Sequence, residues 1–313
     1  MQLLSKEPNI DFVRHSRRAA IFSGVLLTIA LLSLLVRGLN FGIDFSGGTL
    51  IEIGYPETVE VQTVRTALAG GGFDDAVVQH FGSSRDILVR IAPRNDLSEA
   101  QLSTEVLQTL NQAAEQELDM RRVEFVGPQV GEELTEQGGL AMLIALLAIL
   151  IYVGLRFEYR FALGSVAALV HDVILTLGIF SVLGLDFDLT VLAAILAVIG
   201  YSLNDTIVVF DRVRENFRRM RRGTSEEIVN RSLNQTLSRT LMTSITTMLV
   251  LVALFFLGGE LIHGFSTALI IGVIVGTYSS IYIASSAVLA LGVSKADLMP
   301  VKKEGVNDDG AVV

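Results

Sequence analysis

The sequence predicts an α-helical, polytopic membrane protein with six transmembrane helices and one exported α+β domain. The 313 residues are 51% hydrophobic and only 18% charged, and their mean hydropathy of +0.55 is too apolar for an ordinary soluble domain. Six apolar runs are each long enough, or nearly so, to cross roughly 30 Å of hydrocarbon at about 1.5 Å per residue. Between the first two runs lies a polar segment of about 100 residues, which is long enough to bury a small core of its own.

The six apolar runs divide the chain into spans, loops and one large insert. The predicted transmembrane helices cover, in chain order, residues 19–36, 138–155, 161–183, 189–210, 239–257 and 265–293. The last run is longer than a bilayer requires, so we expect it to tilt or to continue past the interface. The other segments are an N-terminal segment, an exported domain, a basic loop and a C-terminal tail, at residues 1–18, 37–137, 211–238 and 294–313.

The first apolar run is predicted to be an uncleaved anchor rather than a signal peptide. It follows Arg14, Arg17 and Arg18, but it is longer than the apolar core of a usual signal peptide. Residues 37–40 follow it without the small residues of a cleavage site. The sequence contains no cysteine, so disulfide bonds are excluded.

The distribution of charge predicts the orientation in the membrane. Residues 37–137 hold 17 acidic and 7 basic side chains, a net charge of −10. Lysine and arginine are absent from the short loops at 184–188 and 258–264. The opposite loops hold four, two and seven of these residues, at 1–18, 156–160 and 211–238. Because positive loops stay inside, we expect both termini to be cytoplasmic and residues 37–137 to be exported.

The exported segment changes its hydrophobic period in the order βαββαβ. The strand patterns lie at residues 48–55, 76–81, 87–91 and 122–126, and the helical patterns lie at 59–69 and from Ser98 onward. Ser98 has Gln101 three positions later, which is a capping box. This order is the split-βαβ or ferredoxin-like pattern. With no phosphate loop, catalytic carboxylate pair, zinc spacing or nucleophile elbow, the domain is predicted to bind or to act as a lever.

The segment NFGIDFSGG at residues 40–48 opens this domain. Asp44 could serve as a ligand or an acid, but Asp and Gly beside a strand usually form a turn or a bulge. Gly47 and Gly48 would then take backbone angles that other residues avoid. We favour this structural interpretation for the group, which also includes Gly42.

The fourth apolar run contains a carboxylate. Asp205 lies in the stretch GYSLNDTIVVFDR, six residues before Asp211 and therefore about 9 Å from the predicted end of the span. A carboxylate at bilayer depth costs about 2.5–3.5 kcal/mol on insertion scales, so it should have a partner, a water path or a function. Its neighbours Asn204 and Thr206 are candidates to bond it or to line such a path.

Three other ionisable residues compete for a role in proton movement. Arg239 begins the fifth run and either reaches back to pair with Asp205 or anchors the helix at the interface. His171 and Asp172 lie about ten residues into the third run. Adjacent residues face different directions on a helix, so we do not expect a shared two-residue site. A proton relay and a structural bond between helices both stay open for them.

Two further patterns concern packing and the membrane surface. Gly272 and Gly276 form a GxxxG spacing, which favours close approach of helices within the chain or with a partner. In the basic loop, Val213, Phe217 and Met220 lie at helical spacing among six arginines. This pattern predicts an amphipathic helix that lies on an anionic membrane leaflet. Nucleic-acid binding is a poorer explanation, because topology already demands positive charge there.

Longer motifs carry a family resemblance. They are NFGIDFSGGTLIEI at 40–53, FVGPQVGEEL at 125–134, LRFEYRFALGSVAALVHDVILTLG at 155–178, GYSLNDTIVVFDRVREN at 200–216 and SRTLMTS at 238–244. On these motifs the chain resembles the SecF branch of the SecD/SecF family of protein-export membrane proteins, from Phe12 to about Val293. SecD-type members share the plan but have a much longer exported region.

The resemblance implies a function and partners. It implies a non-enzymatic, RND-like half of the SecDF accessory complex in the bacterial cytoplasmic membrane, with no cofactor and the proton gradient as its energy source. Asp205 and Arg239 would be the proton-responsive pair. The implied partners are SecD, the SecYEG translocon, YajC, YidC and an unfolded preprotein, besides membrane lipid. Two alternatives stay open: a stand-alone RND-type transporter of a small molecule, and a passive assembly scaffold.

Overall fold

The computed structural model describes residues 8–94, 98–220 and 222–294, and the predicted N-terminal segment and tail lie partly outside these ranges. In chain order, the elements are α1 (Phe12–Val36), β1 (Asn40–Phe41), α2 (Ile43–Ser46), β2 (Gly48–Gly54), α3 (Val61–Gly70), β3 (Val77–Phe81), β4 (Ser83–Ile91), α4 (Glu99–Ala114), β5 (Asp119–Val126), α5 (Pro128–Arg156), α6 (Tyr159–Leu183), β6 (Asp186–Phe187), α7 (Leu189–Arg219), α8 (Ser225–Leu257), α9 (Glu260–Ser279), a π turn (Ser280–Ala284) and α10 (Ser285–Ala290). The predicted fold class is confirmed.

Six helices of the described chain are long and apolar enough to cross a membrane: α1, α5, α6, α7, α8 and the composite of α9, the π turn and α10. In the most apolar windows of α6 and α7, 56% of the residues are buried, against 11% in α1 and α5. Helices α6, α7 and α9 therefore form the centre of the bundle, and the other spans pack around them. Phe161 and Phe210 meet edge to face in this core, with ring centroids 5.0 Å apart.

The GxxxG spacing lets α9 approach α7 within the same chain. A Cβ atom on Gly272 would lie 2.1 Å from Val198 Cγ2, and one on Gly276 would lie 3.0 Å from Ser202 Cβ. Only glycine fits at position 272, because any side chain there would overlap with Val198. The two glycines thus serve packing inside the chain.

Replacing Gly272 with leucine should lower the apparent melting temperature of the purified protein, because overpacking a core costs roughly 1–3 kcal/mol. Circular dichroism in detergent measures the midpoint. The matched control is Gly24→Leu in α1, where nothing lies within 4 Å of an added Cβ. Equal melting temperatures for the two variants would show that the α7–α9 contact accommodates a leucine at position 272, contrary to this expectation.

The sixth span is interrupted by one π turn. Its five residues, Ser280–Ala284, wind more loosely than an α-helix, because a π turn is closed by backbone bonds that span five residues instead of four. Ser279, the last residue of α9, reaches the polar centre described below. π turns are frequent at functional sites, which draws attention to this part of the bundle.

The α/β domain (residues 38–127) forms an antiparallel sheet with strand order β3-β4-β2-β5. Helices α3 and α4 cover one face and enclose an apolar core with the inward residues of the strands. This is the predicted βαββαβ order, and the capping box of Ser98 and Gln101 is present. The other face of the sheet carries Gln79 and Arg90, whose side chains meet the connection between α6 and α7.

Gly47 and Gly48 have the predicted backbone angles. Their φ values are +68° and +122°, which a residue with a Cβ rarely adopts. A Cβ on Gly48 would also lie 2.4 Å from the carbonyl oxygen of Ile91. The two glycines therefore end α2 and let β2 start in contact with β4.

The segment 211–238 differs from its prediction as a loop, because α7 continues to Arg219 and α8 begins at Ser225. The prediction that this segment is an amphipathic helix lying on the membrane surface is wrong. Val213 and Phe217 are each 1% exposed and pack in a core with α8, and Met220 packs against the same core. A helical stripe of apolar residues looks the same whether it faces lipid or another helix, so the sequence period alone misassigned it.

Candidate functional site

Asp205 lies at the middle of the longest central helix. It is 16 residues after Leu189 and 14 before Arg219, about 24 and 21 Å along α7. This replaces the predicted distance of about 9 Å to the helix end, because α7 is longer than the apolar run. The side chain is 2% exposed. A carboxyl group at this position is enclosed by protein on nearly every side.

The carboxyl group of Asp205 has almost no hydrogen bonding. Thr243 Oγ1 lies 3.4 Å from Asp205 Oδ1 but 2.9 Å from the carbonyl oxygen of Thr240, and it has one proton to donate. Asp205 Oδ2 has no partner among the described residues, and neither have the buried hydroxyls of Thr206 and Thr240. Buried polar atoms without partners are rare and cost about 1–3 kcal/mol each. The charged form of Asp205 is therefore poorly supported.

Arg239 is near Asp205 but makes no salt bridge with it. Its charge acts on the carboxyl group, yet within the described ranges no nitrogen of Arg239 comes within 4 Å of an acidic oxygen. Arg239 lies one turn before Thr243 on α8, and its side chain is exposed. Asn204 is exposed as well, whereas Thr206 is buried. The structure thus leaves both predicted roles of Arg239 open.

Asp172 joins three helices of the bundle centre. Its Oδ2 accepts hydrogen bonds from Ser202 Oγ of α7 at 2.6 Å and from Ser279 Oγ of α9 at 2.7 Å. Its Oδ1 lies 2.9 Å from His171 Nδ1 on its own helix, α6. The side chain is 1% exposed. We call this group the Asp172 clamp; unlike Asp205, its carboxyl group has partners at both oxygens.

His171 lies closer to Asp172 than expected. The prediction that these neighbours point apart is wrong, because the imidazole ring turns back onto the adjacent carboxylate. The ring also packs 6.3 Å from that of Tyr278, whose hydroxyl donates to the carbonyl oxygen of Ala19 in α1. His171 Nε2 is buried without a partner among the described residues.

Small hydroxyl side chains link these groups across the bundle. Tyr201 OH lies 3.3 Å from Ser244 Oγ, which lies 2.7 Å from Thr277 Oγ1. Helices α7, α8 and α9 thus share polar contacts near Asp205 and Asp172. Sequence reasoning overlooked Thr243, Ser244 and Thr277 as members of the site. The available signal was their presence in otherwise apolar spans, where hydroxyls bond between helices.

Asp44 binds the start of the helix that carries Asp205. Its Oδ2 accepts a hydrogen bond of 3.0 Å from the backbone N–H of Leu189, the first residue of α7. Asp188 caps the same end through Val191 N at 2.8 Å. Two carboxylates at a helix N-terminus satisfy free N–H groups and complement the helix dipole. Asp44 therefore has a structural role, between the α/β domain and the bundle.

A second acid fastens the same two parts. Asp186 accepts from Asn40 Nδ2 at 2.5 Å and from Gln79 Nε2 at 2.8 Å, and it forms a 3.1 Å salt bridge with Arg90. Strands β1 and β6 pair in parallel beside it. We call the contacts of Asp44 and Asp186 the junction. It connects the open face of the sheet to the beginning of α7.

Within the described ranges, no three His, Cys, Asp or Glu side chains are placed to hold a metal ion. The polar groups described above are buried carboxyl, imidazole and hydroxyl side chains. One carboxyl group, that of Asp172, is fully bonded, and the other, that of Asp205, is not. Such a pair suits a role in which one acid holds helices together and the other changes its protonation.

Comparison with known proteins gives consistent matches. The family described as protein export membrane protein SecD/SecF, C-terminal, matches residues 106–294, and the SecD/SecF GG motif matches residues 32–55. The protein translocase subunit SecF of Vibrio alginolyticus is 53% identical over 98% of this chain and 98% of its own length. The protein of the same description from Pseudomonas aeruginosa is 52% identical, over 96% and 97%.

Solved structures match the fold as well. The crystal structure of SecDF, a translocon-associated membrane protein from Thermus thermophilus, has a TM-score of 0.84 and 40% identity over 93% of this chain. A SecDF structure in a super-membrane-facing form has a TM-score of 0.69 at the same identity and coverage. The present chain spans 39% of the length of each of these SecDF chains.

Proposed function

The chain belongs to the SecD/SecF family of protein-export membrane proteins, and from this premise we propose that it is the SecF-type subunit of a SecDF protein translocase. In the bacterial cytoplasmic membrane it would use the proton motive force to promote preprotein translocation. The observation that carries this proposal is the buried, poorly bonded carboxyl group of Asp205 in the centre of α7.

Protonation of Asp205 would be the energy-linked step. In the described part of the chain Oδ2 has no hydrogen-bond partner, so taking up a proton removes a buried charge that hydrogen bonds do little to stabilise. One elementary charge moved across the membrane potential is worth about 2.3 kcal/mol per 100 mV, which is enough to shift a balanced equilibrium of helix positions. Arg239 would respond to this change, since its charge acts on Asp205 without a fixed salt bridge.

The other predicted relay residues take different parts in this proposal. Thr206 and the exposed Asn204 flank Asp205 and would line the way by which a proton reaches it. Asp172 and His171 would keep α6, α7 and α9 in contact during this change, because the carboxyl group of Asp172 has partners on all three helices. A proton on His171 Nε2, which has no partner among the described residues, is the alternative use of this group.

Helix α7 would transmit the change to the α/β domain. It is one continuous helix of 31 residues, and the junction fastens its first residue to that domain. A small rotation or shift of α7 at Asp205 therefore moves the junction as well. The two SecDF forms match this chain with TM-scores of 0.84 and 0.69 at equal coverage, which supports a family architecture with more than one arrangement.

The proposed partners follow from this assignment. A SecD chain would supply the counterpart of the part of SecDF that this chain does not match. With both termini cytoplasmic and residues 37–137 exported, the α/β domain would meet an emerging preprotein beside SecYEG, with YajC and YidC in the same assembly. We propose that the six membrane spans have the residue ranges predicted from the sequence.

Asp205→Asn should abolish the part of preprotein completion that depends on the proton gradient. The test uses membrane vesicles that hold a half-translocated preprotein, with and without a gradient, and compares wild type with the variant. The matched control is Asp211→Asn, which removes a half-exposed acid from the same helix. Assembly with SecD is measured in the same preparation by co-purification.

The outcomes separate three functions. Normal assembly with loss of the gradient-dependent part supports the proposed proton step. Loss of assembly supports a scaffold in which Asp205 only joins helices. Normal assembly with full gradient-dependent completion would contradict the role of Asp205, and solute transport without SecD would favour a stand-alone RND-type transporter.

A further inference from the structure

An open groove of about 590 Å³ lies at the end of the bundle opposite the α/β domain. It is formed by the end of α5 and by the last turns of α7. Its lining consists entirely of charged residues: Arg156, Asp211, Arg214, Glu215, Arg218 and Arg219. Four cations and two carboxylates give this lining a net charge of +2.

Both carboxylates of the groove are already engaged by arginines. Asp211 lies 3.4 Å from Arg156, and Glu215 forms salt bridges of 3.1 Å with Arg219 and 2.8 Å with Arg212. Arg214 has no carboxylate within 4 Å in the part of the chain that the structure describes. Its charge is therefore available to a ligand.

Arg214 is held in place by uncharged contacts. Its NH1 donates to the carbonyl oxygen of Arg156 at 3.4 Å, and its guanidinium lies 6.0 Å from the ring of Phe157. These contacts restrict the side chain without neutralising it. A planar guanidinium oriented in this way can present two parallel N–H groups to a phosphate or carboxylate.

The groove lies at the depth of lipid headgroups. Asp211 is 22 residues after Leu189, which places it about 33 Å along α7 from the junction. The hydrocarbon core of a bilayer is about 30 Å thick, so the groove begins where the opposite layer of phosphates is expected. A lipid headgroup is confined to this depth, whereas a ligand dissolved in water is not.

Apolar side chains continue from the groove toward the bilayer. Leu155 is 85% exposed and Tyr152 is 54% exposed, and they precede Arg156 on α5 by one and four residues. Tyr159, at the start of α6, is 63% exposed. Exposed aliphatic and aromatic residues beside arginines are typical of the membrane interface, where acyl chains meet headgroups.

We propose that this groove binds the phosphate group of one anionic phospholipid, with its acyl chains along Leu155 and Tyr152. Arg214 and Arg156 contact the phosphate, and the other arginines supply the positive field. The same phosphate chemistry occurs in soluble anions, but only a lipid also uses the exposed apolar surface of α5. The site is independent of the proton step at Asp205.

Native mass spectrometry of the detergent-purified full chain tests the proposal, with phosphatidylglycerol titrated in. The double variant Arg156→Gln/Arg214→Gln should bind it roughly 30-fold more weakly than wild type. The control is Arg231→Gln, which removes an exposed arginine of α8 outside the groove and should leave binding unchanged. Circular dichroism verifies that each variant is folded. The single variant Arg214→Lys should bind with intermediate affinity, because lysine keeps the charge but lacks the paired N–H donors of the guanidinium.

Three results would overturn the assignment. The first is equal retention of phosphatidylglycerol by wild type and a folded double variant, which would place the lipid elsewhere. The second is competition by inorganic phosphate at the concentration at which the lipid binds, which would identify a site for soluble anions. The third is retention of phosphatidylcholine as strong as that of phosphatidylglycerol, which would contradict the anionic specificity.

Discussion

Replacing Asp172 with alanine should strongly destabilise the six-helix bundle. The substitution leaves the Ser202 hydroxyl and the His171 ring nitrogen buried without their partner, whereas the Ser279 hydroxyl keeps a 3.1 Å bond to the carbonyl oxygen of Gly276. Each group without a partner costs about 1–3 kcal/mol, which is a large part of a net stability of about 5–15 kcal/mol. The measurements are the yield of monodisperse protein in detergent and its apparent midpoint by circular dichroism.

The matched control is Asp172→Asn, which keeps a side-chain oxygen as acceptor and the same shape. This variant should fold, since the hydroxyls of Ser202 and Ser279 can rotate to meet the amide. The comparison also decides between the two roles left open for Asp172. If Asp172→Ala yields stable protein that has lost only gradient-dependent completion, Asp172 belongs to the proton path and the clamp is not structural.

Removing the side-chain contacts of the junction should uncouple proton uptake at Asp205 from movement of the α/β domain. The double variant Asp44→Ala/Asp186→Ala removes the bond to Leu189 N and the contacts with Asn40, Gln79 and Arg90. Helix α7 should keep its fold, because Asp188 still caps it and the loss of one cap costs about 0.5–2 kcal/mol. Gradient-dependent completion should fall to the level without a gradient, although the chain still assembles with SecD.

The absence of cysteine makes a direct measurement possible. Spin labels on two introduced cysteines, at the exposed positions Thr66 of α3 and Leu261 of α9, report the distance between domain and bundle. The distribution of distances between the two labels should be narrow in the labelled chain without other changes and broad in the double variant. The control is Asp74→Ala/Asp119→Ala, which removes two exposed acids of the same domain. A distribution unchanged by cutting the junction would refute the coupling.

Local patterns in the sequence determined much of this architecture. The alternation of residues 48–55 and the capping box at Ser98 depend only on neighbours in the chain, and both are found in the structure. The glycines at 47 and 48 follow the same logic, because a positive φ is a property of the residue itself. The burial of Asp205 could be predicted because it lies inside a long apolar run.

Contacts between distant segments were beyond such reasoning. Asp44 lies 145 positions before the helix end that it caps, and no spacing rule connects the two. The bonds from Ser202 and Ser279 to Asp172 likewise depend on how three helices cross. The end of α7 was misjudged because a stripe of apolar residues between arginines fits a membrane surface and a helix partner equally well. These features follow from tertiary packing and not from local preference.

The π turn of the last span makes the packing after it depend on the exact number of residues in the turn. Deleting a single codon within Ser280–Ala284 would restore ordinary α-helical winding and rotate everything after it by about 100°. Val288, now packed where Gly164 of α6 leaves room, would then turn away from its pocket. A substitution in this stretch changes one side chain, whereas a one-residue deletion changes the direction of every side chain after it.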